Sequence, residues 1–202
     1  MPPAVPSWDG RINLGGMGIV SNRDRSAVFI DNGYFAKVLK NEFDQAKLDF
    51  LKFSEALCRG SERFRTYFYY CMPHQSQYPT EEESARTSSA NKFYSSLKKH
   101  PRFEVRLGRL SRISSSPPIF EQKGVDVLMS VDLVRLSWSQ TIDRAILVTG
   151  DSDFVPAVQA AKDAGIIVEL VYSARQHVSE ELFHACDERY QITKALIEGV
   201  AL

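Results

Sequence analysis

The sequence has few cysteines, no excess of charge and no long apolar run. Its 3 cysteines, Cys58, Cys71 and Cys186, form no CxxC pair, which fits reduced thiols better than a disulfide framework. Lys plus Arg and Asp plus Glu both number 25, so the whole chain has no bias toward nucleic acid or membrane. No apolar run approaches the roughly 20 residues of a membrane span, and the N-terminus lacks a signal pattern. We expect a cytoplasmic protein without a membrane partner.

The first 25 residues combine a proline-rich start with the glycine-rich segment RINLGGMG. No strand precedes these glycines and no Lys-Ser or Lys-Thr pair follows them, so they do not match a phosphate-binding loop. We predict an extended or flexible arm over residues 1–25 and one domain over residues 26–202. The hydrophobic content of 44% suffices for one well-filled core.

The segment AILVTGDSDF, residues 145–154, joins an apolar run to a polar tip. The run is short, partly β-branched and bounded by Gly150, which predicts a buried strand. Asp151 and Asp153 follow, and Ser152 between them is placed to cap the next helix. Carboxylates crowded together repel one another, and a divalent cation is the usual remedy. The segment therefore predicts a site.

Strands and helices alternate along the rest of the chain. Strands are predicted at residues 26–31, 64–71, 103–107 and 166–172, and helices at 34–39, 43–57, 82–100, 125–138, 154–164, 180–184 and 188–197. The SSSPP run at residues 114–118 predicts a turn or mobile loop. This alternation predicts an α/β layered fold with a mostly parallel sheet. The aromatic strand at 64–71 is either core or an interface between copies of a homo-oligomer.

Acidic residues occupy the positions where such sheets bind ligands, the carboxyl ends of strands. Asp31 and Asp151 each end a predicted strand, and Asp153 begins a helix, where the helix dipole favours negative charge. Asp126, early in the helix after Gly124, is the fourth candidate. Oxygen-only ligation predicts Mg²⁺ or Mn²⁺ rather than zinc.

Each of these aspartates, taken singly, is as typical of a helix cap as of a metal ligand. Asp132 lies six residues after Asp126, about 120° round a helix of ~3.6 residues per turn, so both cannot face one ion. Asp132 is then a buried hydrogen-bonding carboxylate, faces solvent, or has a direct role. A zinc site is a weaker alternative, and its short Cys/His pairs are Cys71 with His74 and His184 with Cys186. His100 and His177 are expected to be ordinary surface residues.

Three segments resemble the signature segments of the NYN domain family, specifically its LabA-like branch in the PIN-like nuclease superfamily. They are IDNGYF at residues 30–35, EQKGVDVLMSVDLV at 121–134 and ILVTGDSDFVPAVQAAKDAGIIVELV at 146–171. The resemblance spans about residues 26–197 and implies a three-layer α/β/α sandwich around a mostly parallel sheet.

The resemblance also implies a Mg²⁺- or Mn²⁺-dependent endoribonuclease, in which one or two ions acidify a bound water. Its catalytic, metal-binding acids map onto Asp31, Asp126, Asp151 and Asp153, with Asn32, Thr149 and Ser152 as supporting polar groups. The first motif here is DNG, where many relatives place one or two residues between the Asp and a polar partner. Asn32 is therefore assigned less firmly than Asp31.

A chain of zero net charge needs a local basic track to bind RNA. The candidates are Lys123, Arg102, Arg106, Arg109 and Arg112. Arg102, Arg106 and Arg112 are even numbers of residues apart, so an extended strand places them on one face. The alternative is a charged strand edge that keeps the sheet soluble. Candidates for base stacking, or otherwise for core and loop anchors, are Tyr34, Phe35, Tyr78 and Phe120.

Two other functions stay open. One is a non-catalytic RNA-binding or regulatory module with the same fold. The other is a phosphatase that forms an aspartyl-phosphate at Asp31, although such enzymes want a second Asp at the position of Gly33.

Overall fold

The structure, a computed structural model, describes residues 24–115 and 118–202, and the side chains of these residues except 111–122. Residues 1–23 of the predicted arm lie outside the described residues. Residues 116–117 of the predicted Ser/Pro loop also lie outside them. The side chains of Arg112 and Phe120 are likewise outside them. Within the described ranges, no helix is both long and apolar enough to cross a membrane.

Seven strands of the described chain form one sheet, in the order β4-β3-β2-β1-β5-β6-β7. Neighbouring strands pair in parallel except β3 and β4, which form an antiparallel hairpin. The strands are β1 (Arg25–Asp31), β2 (Glu62–Cys71), β3 (Phe103–Ser115), β4 (Pro118–Lys123), β5 (Arg144–Val148), β6 (Ile167–Tyr172) and β7 (Glu188–Gln191).

Helices connect the parallel strands, as crossovers in parallel sheets require. They are α1 (Asn32–Glu42), α2 (Phe50–Cys58), α3 (Glu81–Leu97), α4 (Val125–Trp138), α5 (Val155–Asp163), α6 (Glu180–Ala185) and α7 (Lys194–Gly199). A short 3₁₀ turn at Ser152–Phe154 precedes α5.

Two hydrophobic cores lie on opposite faces of the sheet, because successive side chains of a strand alternate between its faces. Phe29 of β1 packs in the core formed with α4, α5 and α6. Val28 and Ile30 pack in the core formed with α1, α2, α3 and α7. The fold is therefore the α/β three-layer sandwich that the sequence predicts.

Three predicted elements differ in the structure. The helix expected at residues 43–57 begins only at Phe50, because Asp44 and Gln45 adopt positive φ and Asp49 caps α2. The helix expected at 188–197 is instead β7, paired with β6, followed by α7. The strand expected at 103–107 continues to Ser115 and pairs with β4.

The aromatic strand β2 is interior. It lies between β1 and β3, and Tyr67, Phe68 and Tyr69 are buried within the sheet's two cores. Its aromatic content therefore belongs to the core rather than to an interface between copies.

The strand order reverses between β1 and β5. Strands β2 and β3 extend the sheet on one side of this pair, and β6 and β7 extend it on the other. A crevice forms at the carboxyl ends of strands at such a reversal. Asp31 ends β1, and the Gly150–Asp151 turn follows β5, so both aspartates reach this crevice.

Candidate active site

Asp31 is fixed at the junction of β1 and α1. As the N-cap of α1, its Oδ1 accepts hydrogen bonds from the backbone N–H groups of Gly33 at 2.8 Å and Tyr34 at 3.4 Å. The buried Thr149 hydroxyl donates to Asp31 Oδ2 at 3.2 Å. These contacts orient the carboxylate toward the crevice and hold it there.

Asp151 and Asp153 reach the same crevice through a turn that only glycine fits. A Cβ added to Gly150 would lie 2.6 Å from the carbonyl oxygen of His177 and 2.7 Å from Cε2 of Tyr34. Asp151 then caps the 3₁₀ turn, because its Oδ1 accepts from the N–H of Asp153 at 3.0 Å. Both carboxylates are exposed.

Asp126 comes to the crevice from the first turn of α4. Gly124 precedes that helix with φ of 85°, a conformation that glycine adopts readily. The β3 strand passes so close to this helix start that a Cβ on Gly108 would lie 2.4 Å from Val125 Cγ2. The hairpin and α4 are therefore packed together where Asp126 emerges.

The four aspartates influence one another electrostatically. Burial raises the pKa of Asp126, and the negative charges of Asp31, Asp151 and Asp153 raise it further. Burial also raises the pKa of Asp31, with a smaller contribution from Asp151, while its hydrogen bonds from Tyr34, Gly33 and Thr149 oppose the rise. Of the four predicted site acids, Asp31, Asp126 and Asp151 thus line one cleft, and Asp153 lies beside it, close enough to act on the pKa of Asp126.

The donor set fits a hard divalent cation in its chemistry, since it consists of carboxylate oxygens. A cation there would relieve the repulsion that raises the pKa of Asp126. As the side chains are placed, however, no group of three or more Asp, Glu, His or Cys residues in the described ranges could hold a metal ion. Binding an ion would require carboxylates to turn toward it, and Asp151 and Asp153 are exposed enough to do so.

A cleft of about 370 Å³ contains Asp31, Asp126 and Asp151 and brings in side chains that the sequence did not single out as site residues. They are Lys37 of α1 with Gln176 and His177 of the loop after β6. Lys37 makes no ion pair with any residue that the structure describes, so its ammonium group is available to an anionic ligand. His177, expected at the surface, is exposed and also borders the cleft.

The loop after β6 is hydrogen-bonded to α1, which Asp31 caps, and to the turn after β5, which carries Asp151. The Ser173 N–H donates to the Tyr34 hydroxyl at 2.9 Å, and the Ser173 hydroxyl hydrogen-bonds Glu42 of α1. The Ser179 N–H donates to the Gly150 carbonyl at 2.9 Å. The only sequence signal for this loop is its position after a parallel strand, which places it at the ligand-binding edge.

The supporting polar residues divide between two places. Thr149 bonds Asp31, and Ser152 lines the cleft, as the sequence predicts for groups near the acids. Asn32 instead lines a separate cavity between α1, α2 and α3. As the first residue of α1 it points away from the cleft, whose wall is formed by Gly33 and Lys37.

The basic track is not continuous. Arg102 precedes β3, has φ of 59°, and pairs with Glu62 at the amino-terminal edge of the sheet, opposite the acids. Arg106 lies within β3 and its Nε donates to buried Asp132 at 2.9 Å. Arg109 and Lys123 are cross-strand partners in the hairpin, close to the start of α4. The structure thus brings these last two, and not Arg102, toward the site.

Asp132 is a buried hydrogen-bonding carboxylate, one of the roles that the sequence leaves open. It accepts from Arg106, from Tyr69 Oη at 3.1 Å and from Arg135 at 3.1 Å. It faces the sheet, whereas Asp126 lines the cleft, as their helical spacing predicts.

The stacking and zinc candidates lie elsewhere. Tyr34 is buried, and this burial raises its pKa to about 12, while Phe35 is fully buried in the core. Tyr78 is 86% exposed in the loop before α3. Cys71 ends β2 at the carboxyl edge of the sheet and Cys186 precedes β7 at the opposite edge, so the two Cys/His pairs do not meet.

This chain belongs to the NYN domain family, whose model matches residues 25–193. The family is nuclease-like and falls in the PIN-like superfamily. The uncharacterised protein y4oD of Sinorhizobium fredii is 34% identical over 80 residues, which are 39% of this chain and 37% of that protein. The chain thus matches little more than a third of that relative's length.

A solved structure has the same fold. It is that of a protein of unknown function from Vibrio parahaemolyticus, with a TM-score of 0.63 and 19% sequence identity. The similarity covers 89% of this chain and 97% of that one.

Proposed function

We propose that this chain is a metal-dependent ribonuclease of the LabA-like branch of the NYN family, with Mg²⁺ or Mn²⁺ as its cofactor and RNA as its substrate. The observation that carries the proposal is the cleft lined by Asp31, Asp126 and Asp151, with Asp153 on the groove beside it. Burial and the neighbouring carboxylates raise the pKa of Asp126, and carboxyl groups perturbed in this way cluster in the clefts of functional sites. The family's nuclease character supplies the class of reaction.

In this mechanism the four aspartates would hold the cation and supply no nucleophile of their own. When bound there, a divalent cation would supply an acidified water and would offset negative charge on the phosphate. Thr149 keeps Asp31 oriented, and the Asp153 N–H keeps Asp151 oriented. Lys37, across the cleft, would bind a phosphate oxygen of the RNA strand.

The first experiment measures cleavage of labelled single-stranded RNA, hairpin RNA and matching DNA with Mn²⁺ or Mg²⁺, and then with chelator. We expect cleavage of RNA that chelator abolishes and that Asp151→Asn reduces at least about 100-fold. The matched control is Asp163→Asn, the same change at an exposed residue at the far end of α5. Equal cleavage by wild type and Asp151→Asn would contradict the assignment of these acids.

A non-catalytic RNA-binding module is the second candidate. One observation favours it: among the described residues, no three Asp, Glu, His or Cys side chains are placed so that they could hold a metal ion. RNA binding without cleavage under any of these conditions would support it. An aspartyl-phosphate enzyme has less support, because the position two residues after Asp31 is Gly33, whose N–H only caps the carboxylate.

A further inference from the structure

A second groove adjoins the acidic cleft. It measures about 700 Å³ and lies between α4, the start of α5 and α6. Asp126 and Ser152 line both the groove and the cleft, so a ligand in one reaches directly into the other. The volume lies within the range of about 300–1,000 Å³ that is usual for ligand sites.

The groove has apolar walls that are open to solvent. Val127 and Val131 lie four residues apart on α4, hence on one face of the helix, and are 65% and 56% exposed. Val155 and Pro156, at the start of α5, line the groove with them. Such walls suit the flat face of a nucleobase, which gains from leaving water.

Away from the proposed cation site, the groove offers no positive charge to the phosphate backbone. Among the described residues that line it, the ionisable ones are all acidic: Asp126 and Asp153, which belong to the cation site, and Glu181, which would repel a phosphate. Lys37 instead lines the neighbouring cleft. An RNA strand would therefore place its phosphates on the side of Lys37 and a neutral base in the groove.

Resting on the proposed nuclease function, we propose that this groove binds the base next to the scissile phosphate and that Glu181 selects guanine there. Glu181 is exposed in the first turn of α6 and makes no ion pair with a described residue. Its carboxylate has two acceptor oxygens, and guanine presents two adjacent donors, N1–H and N2–H, on its pairing edge. Uracil presents a single N–H between two carbonyl oxygens, which a carboxylate disfavours.

The test compares binding of labelled hexanucleotides that are identical except for one central base, guanine or uracil. Fluorescence anisotropy is measured with Ca²⁺ in place of Mg²⁺, and sites of cleavage are then mapped with Mn²⁺. We expect the wild type to bind the guanine strand about tenfold more tightly, as a bidentate contact predicts. Glu181→Gln should reduce this preference to about twofold or less, because an amide offers one acceptor instead of two.

The matched control is Glu180→Gln, the same change at the neighbouring exposed carboxylate, which does not line the groove. It should keep the wild-type preference. Equal binding of both strands by the wild type, or an unchanged preference in Glu181→Gln, would overturn the assignment of the groove. Cleavage without base preference would overturn the assignment of the groove and leave the nuclease function intact. Guanine-dependent binding without any cleavage would support the groove and contradict the nuclease function.

Discussion

At the scale of single residues, Asp31 combines a structural task with a proposed chemical one. Its Oδ1 caps α1 and its Oδ2 receives the Thr149 hydroxyl. Asparagine caps helices about as well as aspartate, whereas alanine does not. The two tasks can therefore be separated by two substitutions at one position.

We expect the metal-free Asp31→Asn variant to be at least as stable as the wild type at neutral pH, because the cap is retained and burial of the Asp31 charge, which raises its pKa, is relieved. Asp31→Ala should lower the free energy of unfolding by about 1 kcal/mol relative to the asparagine variant. Both variants should lose metal-dependent cleavage. Urea unfolding and the RNA assay measure the two effects, and an active Asp31→Asn variant would remove Asp31 from the ligand set.

The raised pKa of Asp126 predicts that the stability of the fold depends on pH. Its pKa is raised above the ordinary value of 3.8 in the folded protein, so folding favours the protonated form. The metal-free protein therefore loses stability as the pH rises from the unfolded-state pKa of Asp126 to its folded-state pKa. At higher pH the stability stays at this lower level.

Asp126→Asn removes this loss. The melting temperature of the metal-free variant should exceed that of the wild type at neutral pH. The difference should shrink as the pH falls toward 3.8, where the wild-type carboxyl is protonated as well. Calorimetry with chelator at several pH values measures it, and a difference independent of pH would point to a cause other than ionisation.

At the scale of elements, α4 is held to the sheet by buried Asp132. This carboxylate accepts from Arg106 of β3, from Tyr69 of β2 and from Arg135 of α4 itself. The same helix carries Asp126 in its first turn. The position of a proposed metal ligand thus depends on a polar contact in the middle of its helix.

Asp132→Ala should lower the free energy of unfolding by about 2–4 kcal/mol, because the Tyr69 hydroxyl loses this partner and Arg106 keeps its ion pair with Glu104 but loses the one with Asp132. Arg135→Ala should cost less than about 1 kcal/mol, since that side chain is 54% exposed. Urea unfolding of both variants tests the contrast. A loss in Asp132→Ala as small as that in Arg135→Ala would mean that the apolar contacts of Met129 and Leu133 hold α4 instead.

The elements also show how far a sequence predicts this fold. The runs that become β1, β5 and β6 are short and apolar with clear ends, and the position of the acids that end β1 and follow β5 comes from the parallel-sheet rule. β7 (ERYQ) has no apolar alternation and exists because β6 offers it an edge. Lys37, Gln176 and Glu181 were missed because their nearness to the acids is purely tertiary. Arg102 was misplaced on a strand because its backbone turns just before β3.

At the scale of the whole molecule, cation binding should stabilise the fold as a unit. A ligand that binds only the folded state at 100 times its Kd adds about 2.7 kcal/mol. For a chain of this length that corresponds to a rise in melting temperature of about 5–10 °C. We expect Mn²⁺ to produce such a rise in the wild type and in Asp163→Asn, and most of it to vanish in Asp151→Asn. An equal rise in all three proteins would place the ion elsewhere.

The strand order has a consequence for synthesis. Asp31 leaves the ribosome before Thr149, which bonds it and follows 118 residues later. β1 meets β5 only after β2, β3, β4 and α4 have been made. A chain arrested before Arg144 should accordingly show no Mn²⁺-dependent cleavage in a stalled-ribosome assay. The proposed ribonuclease is then harmless to the messenger and ribosomal RNA that surround it until Asp151 and Asp153 have been translated as well.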